Sequence, residues 1–153
     1  MAITTAMCNS FKQELLQGLH DLDNHVIKLA LIKASPSGTY GAGTTNYSNL
    51  GGQDPSGDEV SGTGYNVEGQ VLDNITITLD GSTAIVDIDD EVFSSATMSA
   101  DGCIIYNSSA SNKAIAVIDF GGTKTSTNGD FTIEFPPTGG ASPDSSNAII
   151  RIA

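Results

Sequence analysis

The residues best placed to do chemistry are four neighbouring carboxylates, Asp87, Asp89, Asp90 and Glu91. Side chains two apart on a strand share a face, so Asp87 and Asp89 would present their oxygens together, with Asp90 or Glu91 joining at the strand end. Hard cations such as Ca²⁺ are bound by oxygen sets of this kind. The spacing does not fit an EF-hand loop, which alternates its ligands around a central glycine and closes with a distal glutamate. The preferred reading is a solvated acidic face that blunts a sheet edge. No metal and no cofactor are therefore expected, Ca²⁺ being the one ion the run would suit.

Other chemistries fare no better. Paired carboxylates hydrolyse glycosides only when they flank a sugar cleft, and such clefts carry exposed aromatic platforms; this chain has no Trp. There is no G-x-S-x-G nucleophile elbow. His20 and His25 sit near the end of the expected helix, where histidine more often caps or meets the helix dipole than acts as a base. Cys103 lies in an apolar run that suggests a buried, inert thiol, and Cys8 precedes the helix. Gly62-x-Gly64 lacks the third glycine of a dinucleotide-binding loop. Asn46, Asn74 and Asn107 open formal glycosylation sequons, to which no role is given. No catalytic residue is expected, and the chain is read as a non-enzyme.

The charge balance narrows the partners. Six Lys and Arg stand against 18 Asp and Glu, a net charge of −12. A surface that acidic repels phosphate backbones and anionic lipid, so neither nucleic acid nor membrane is an expected partner. Met1–Ser10 lacks the basic and apolar regions of a Sec signal. The charge is uneven, because Ser35–Gln53 contains no acidic or basic residue.

The 153 residues read as one mainly β domain. Phe11, Leu15, Leu16, Leu19 and Leu22 fall on one helical stripe, predicting an amphipathic helix over about 9–23 with Ser10 and Gln13 as its capping box. His25–Ala34 follows as a buried strand. A long excursion, 35–69, is rich in Gly, Ser, Thr and Tyr. Thereafter short strands fill 70–153: in Val71–Leu79 the side chains of Ile75, Ile77 and Leu79 face one way and Thr76 and Thr78 the other, and Asp80-Gly81-Ser82 signals a hairpin. Seven or eight strands at this spacing predict an antiparallel β-sandwich or jelly roll with one N-terminal helix.

Tyr40, Tyr47 and Tyr65, with Leu50 between them, are the candidates for a protein interface. Tyrosine among Gly, Ser and Asn offers aromatic area at low rotamer cost. The alternative is that the tyrosines fold back and cover a sheet face. The absence of charge across Ser35–Gln53 favours the interface. On that reading, deletion of Thr39–Gly52 should leave a folded sandwich that no longer binds.

Several stretches resemble a widespread group of small virion structural proteins of tailed bacteriophages: NSFKQELLQGLH at 9–20, DEVSGTGY at 58–65, SSAT at 94–97, IYNSS at 105–109, AIAVIDF at 114–120, FTIEFP at 131–136 and AIIRI at 148–152. The resemblance spans nearly the whole chain. It implies an accessory protein on the particle surface, a decoration (cement) protein that binds the major capsid protein, or else a tail or fibre component that recognises a host surface. A homo-oligomer, with a trimer favoured, would go with the first role. The resemblance brings no catalytic motif. A carbohydrate-binding module, assisted by Ca²⁺ at Asp87–Glu91, is the reading from a different class.

Overall fold

The computed structural model describes residues 2–136, 145–146 and 148–153. The chain is mainly β, with two antiparallel sheets and one helix near the N-terminus, a β-sandwich. The larger sheet takes the order β1–β7–β6–β2–β3, built from Ala6–Met7 (β1), Ile27–Lys33 (β2), Gln70–Val71 (β3), Glu91–Asn107 (β6) and Lys113–Ile133 (β7). The smaller one runs β4–β5–β8, from Thr76–Asp80, Thr83–Asp87 and Ile150–Ile152.

The larger sheet is covered on both faces, which is why its central strands read as continuous apolar runs rather than clean alternation. On one face, Ile27, Ile105 and Ile115 meet Leu22, Ile75, Val86, Ile88 and Ile150 around a very small void, joining the two sheets. The opposite face, bearing Tyr106 and Ile104, lies under the 35–69 excursion; Tyr47 stacks on Tyr106 with ring centroids 4.8 Å apart. Leu29, Leu31, Ile104 and Ile105 have no exposed surface at all.

The helix is shorter than the leucine stripe predicts. It spans Asn9–Leu16 (α1), because Gly18 adopts φ +70°, a left-handed conformation that closes the last turn. Cys8, not Ser10, occupies the N-cap and makes no side-chain capping bond. Leu16 is 92% exposed, and the buried face of the helix is made by Phe11 and Glu14. Downstream, the run of short strands expected across 70–153 includes two long ones, with Glu91–Asn107 continuous as β6 and Lys113–Ile133 as β7. Register shifts at Phe93/Ala96, Ala96/Met98 and Ala100/Gly102 absorb the polar interruptions that look like strand ends. Residues 71–79 divide into β3 and β4. The Gly/Ser/Pro loop expected before the last strand falls on 137–144, outside the described residues, and Asn147, the expected start of that strand, does too.

Candidate functional site

The excursion is held by two adjacent carboxylates. Asp58 and Glu59 follow a turn that returns the chain to β2, where Lys33 N–H donates to Asp58 C=O and Val60 N–H to Leu31 C=O. Glu59 is completely buried. Its carboxylate accepts from the hydroxyls of Tyr47 at 2.6 Å and Tyr65 at 2.8 Å, and from the Glu68 N–H at 2.7 Å. The Tyr65 hydroxyl in turn accepts the Leu31 N–H at 3.0 Å, tying the clamp to the middle of β2. Asp58 accepts from the N–H groups of Ser37 and Gly38 and from the Tyr40 hydroxyl at 2.8 Å. Lys33 Nζ lies 3.4 Å from Asp58 and 2.9 Å from Asp54. One tyrosine closes on Asp58 and two on Glu59.

The electrostatics follow from these bonds. Burial alone would raise the Asp58 carboxyl, but the Ser37 and Gly38 N–H groups, Tyr40 and Lys33 outweigh it and hold the group below the usual range. Burial, followed by the neighbouring carboxylates, pushes the phenols of Tyr40, Tyr47 and Tyr65 well up. These tyrosines are donors, not proton-transfer groups, at any ordinary pH. Gly69 completes the fit: at φ +70° it brings the chain against β2 so closely that any side chain would strike the Leu29 carbonyl.

The expected interface residues therefore lie elsewhere than on the surface. Tyr40, Leu50 and Tyr65 are buried and Tyr47 is half-buried, so they cover a sheet face. Their aromatic area is spent inside the molecule, and three of their hydroxyls close on the buried carboxylates of Asp58 and Glu59. What residues 35–49 of the excursion expose is a set of small uncharged side chains, Ser35, Ser37, Thr39, Thr45, Ser48 and Asn49, whereas Asp54 and Glu68 are exposed further along it. The N-terminal segment joins the same layer, with Thr4 N–H donating to Tyr40 C=O and Asn9 N–H to Ala42 C=O. Removing Thr39–Gly52 would strip Tyr40, Tyr47 and Leu50 from the core and take one tyrosine donor from each carboxylate, so the deletion is expected to cost stability as well as any contact.

The acidic run does not converge. Asp87 bonds the adjacent Ile88 N–H, Asp89 accepts from the Asn74 amide, and Asp90 accepts from the Phe135 N–H. Glu91 is buried, and burial with help from Asp73 raises its carboxyl. Among the described residues, no three His, Cys, Asp or Glu side chains come together as ligands for a metal ion.

A second polar network was not foreseen. Glu14 accepts from Lys113 Nζ at 2.6 Å and pairs with His20 Nε2 at 2.9 Å. The fully buried Asn107 donates from its amide to Nδ1 of both His20 and His25, at 3.0 and 2.9 Å, while its Oδ1 accepts the Ala110 N–H. That last bond sets the amide's orientation, so both rings accept at Nδ1 and His20 donates to Glu14 through Nε2. The network fastens α1 and the turn after it to the β6–β7 hairpin. The available signal was Glu14's offset of three from Phe11, which places a carboxylate on the buried face. Neither cysteine is activated. Burial pushes the Cys8 thiol up to about 11 and the enclosed Cys103 further, and both are free thiols.

An apolar groove of about 710 Å³ is lined by Ile118, Phe120, Phe131, Phe135 and Ile149, with Lys124 and Asp130 among its polar members. It holds no histidine or cysteine. No helix is long and apolar enough to cross a membrane among the described residues. The fold and its clamped layer thus define a small, acidic β-sandwich whose buried polar groups fasten one layer to another. No protein-family model, curated protein or solved structure matches the chain.

Proposed function

We propose that the chain is a non-enzymatic structural protein of a tailed-bacteriophage virion, a decoration protein that binds the major capsid protein on the outer face of the head. The observation that carries the proposal is the uncharged rim of the excursion, Ser35 to Asn49, on a chain of net charge −12. Like charges oppose docking wherever acidic residues are dense, so the neutral rim is where an acidic protein meets another surface at least electrostatic cost. Its backbone is already fastened through Asp58 and Glu59, so docking orders little additional chain. The resemblance of segments from Asn9 to Ile152 to phage virion proteins supplies the class of partner.

The test is saturable binding of purified protein to heads that lack it. A Thr39→Lys/Ser48→Lys variant places two charges on exposed rim positions without touching either clamp carboxylate or the Asn46–Asn49 capping bonds. Loss of head binding with an unchanged melting temperature supports the proposal. Undiminished occupancy by the variant removes the rim from the contact, and wild-type protein that binds tails but not heads replaces decoration with the tail reading.

A further inference from the structure

The small sheet ends on an open strand. The β4–β5 hairpin turns through Gly81 at φ +58° and Ser82, with Asp80 opposite Thr83, Thr78 opposite Ile85 and Thr76 opposite Asp87. In a two-residue hairpin the pair flanking the turn is hydrogen-bonded, and bonding alternates from there. Thr76, Thr78 and Asp80 therefore direct their backbone groups to β5, and Ile77 and Leu79 direct theirs to the free edge. Among the described residues, no strand pairs with that edge. The same two residues are apolar and exposed, at 48% for Ile77 and 67% for Leu79. They share a face with Ala84, Val86, Ile150 and Ile152 across the sheet. Proteins usually blunt such an edge with lysine, proline or a bulge, and β4 has none of these.

We propose that β4 docks a second copy of this chain, the two β4 strands pairing antiparallel about a two-fold axis at Thr78. The strand is self-complementary in that register. Ile77 of each copy lies opposite Leu79 of the other, and these outward-facing residues exchange four backbone hydrogen bonds. The two-fold keeps the apolar side chains of both copies on one face, giving a continuous six-stranded sheet. Charge selects the register as well as the occupant. The only charge in β4 is Asp80, which falls opposite Thr76, leaving the two Asp80 residues about 14 Å apart along the strand direction, beyond the ~8–10 Å over which salt leaves charges coupled. Two chains of −12 each meet here along a strip whose paired centre is uncharged. The side chains and edge of five residues supply roughly 400–500 Å² per copy, close to the ~1,000 Å² total of a specific but modest interface, so dissociation in about the micromolar range is expected. The contact stands independently of the virion reading and differs from the three-fold assembly implied by resemblance. A head-to-tail ring would have to join β4 to β8, whose edge is three residues long.

Sedimentation velocity of the full chain from about 1 to 200 μM should show a monomer–dimer equilibrium that strengthens with added NaCl, as screening relieves the like charges. Leu79→Lys should remain monomeric with an unchanged melting temperature. Thr78→Cys provides a register-specific readout. Residues facing each other in a non-hydrogen-bonded pair lie ~4.5 Å apart at Cα, within disulfide range, so diamide should convert the variant to a covalent dimer by taking two electrons and two protons from the paired thiols. Thr76→Cys, whose copies sit about 14 Å apart, should not cross-link under the same treatment. The buried Cys8 and Cys103 contribute no background. A chain monomeric at 200 μM overturns the proposal. So does a dimer that survives Leu79→Lys, a trimer in place of the dimer, or cross-linking through residue 76 rather than 78.

Discussion

Replacing Glu59 by alanine should unfasten the whole excursion. The carboxylate is fully buried and accepts three hydrogen bonds, two from phenols and one from a backbone N–H. Truncation leaves these donors facing a cavity. At about 1–3 kcal/mol for each orphaned group, discounted because Tyr47 is half-buried and can reach water, the loss comes to about 3–5 kcal/mol. That is a large share of the ~5–15 kcal/mol that holds a typical domain folded. It corresponds to a fall in melting temperature of roughly 6–20 °C for a chain of this size. Glu59→Gln keeps the volume and an acceptor oxygen for Tyr65 and Glu68 N–H, while its amide nitrogen turns toward the Tyr47 hydroxyl. Its cost should be smaller, about 1–2 kcal/mol. Urea denaturation gives the totals, and hydrogen exchange shows where the loss falls. Protection should drop across 35–69 before it drops in β2, β6 and β7. An alanine variant that loses less than about 1 kcal/mol, or keeps its protection in the excursion, would refute the clamp.

Acid should act on the same layer. Asp58 and Glu14 both have carboxyls held below their ordinary values, so the unfolded chain binds more protons as pH falls. Their stabilisation is complete at neutral pH and is lost progressively from about pH 5 downward, and Asp58→Asn should flatten that acid limb in urea midpoints measured from pH 7 to 3.5. Asn107→Leu should lower stability by about 2–4 kcal/mol, because it unties His20, His25 and the Ala110 N–H together, and near-ultraviolet circular dichroism should report the loosened Phe11–His20 contact, now 4.8 Å between centroids. Adding Ca²⁺ should leave the melting temperature unchanged, since Asp87, Asp89 and Asp90 each have separate partners and Glu91 is buried; a rise with millimolar Ca²⁺ would reinstate them as ligands.

How far the sequence could be read depended on the range of the interactions. The apolar run at 27–33 and the Asp-Gly turn at 80–81 are local signals, and β2 and the β4–β5 hairpin appear where those signals stand. The helix was overextended because five leucine and phenylalanine positions fit one stripe, whereas Gly18 ends the helix and Glu14 takes the buried place that Leu16 was expected to fill. β6 and β7 were divided because a bulge interrupts alternation in the same way as a strand end. The clamp was hidden for a different reason. Tyr40 reaches Asp58 across 18 residues and Tyr47 reaches Glu59 across 12, and no periodicity marks such a pairing. The one clue was an acidic pair standing directly before Val60 in a segment rich in Gly, Ser and Thr. The uncharged character of Ser35–Gln53 was legible from the start. The structure buries or half-buries its tyrosines and leaves small polar residues at its surface.

The proposed virion assignment is tested most directly by searching for this chain in purified tailed-phage particles, with heads separated from tails. Quantitative mass spectrometry against the major capsid protein should find on the order of hundreds of copies per head, as a protein bound at every equivalent shell position requires. A handful of copies confined to the tail would contradict decoration. Absence from the particle would contradict a virion role altogether.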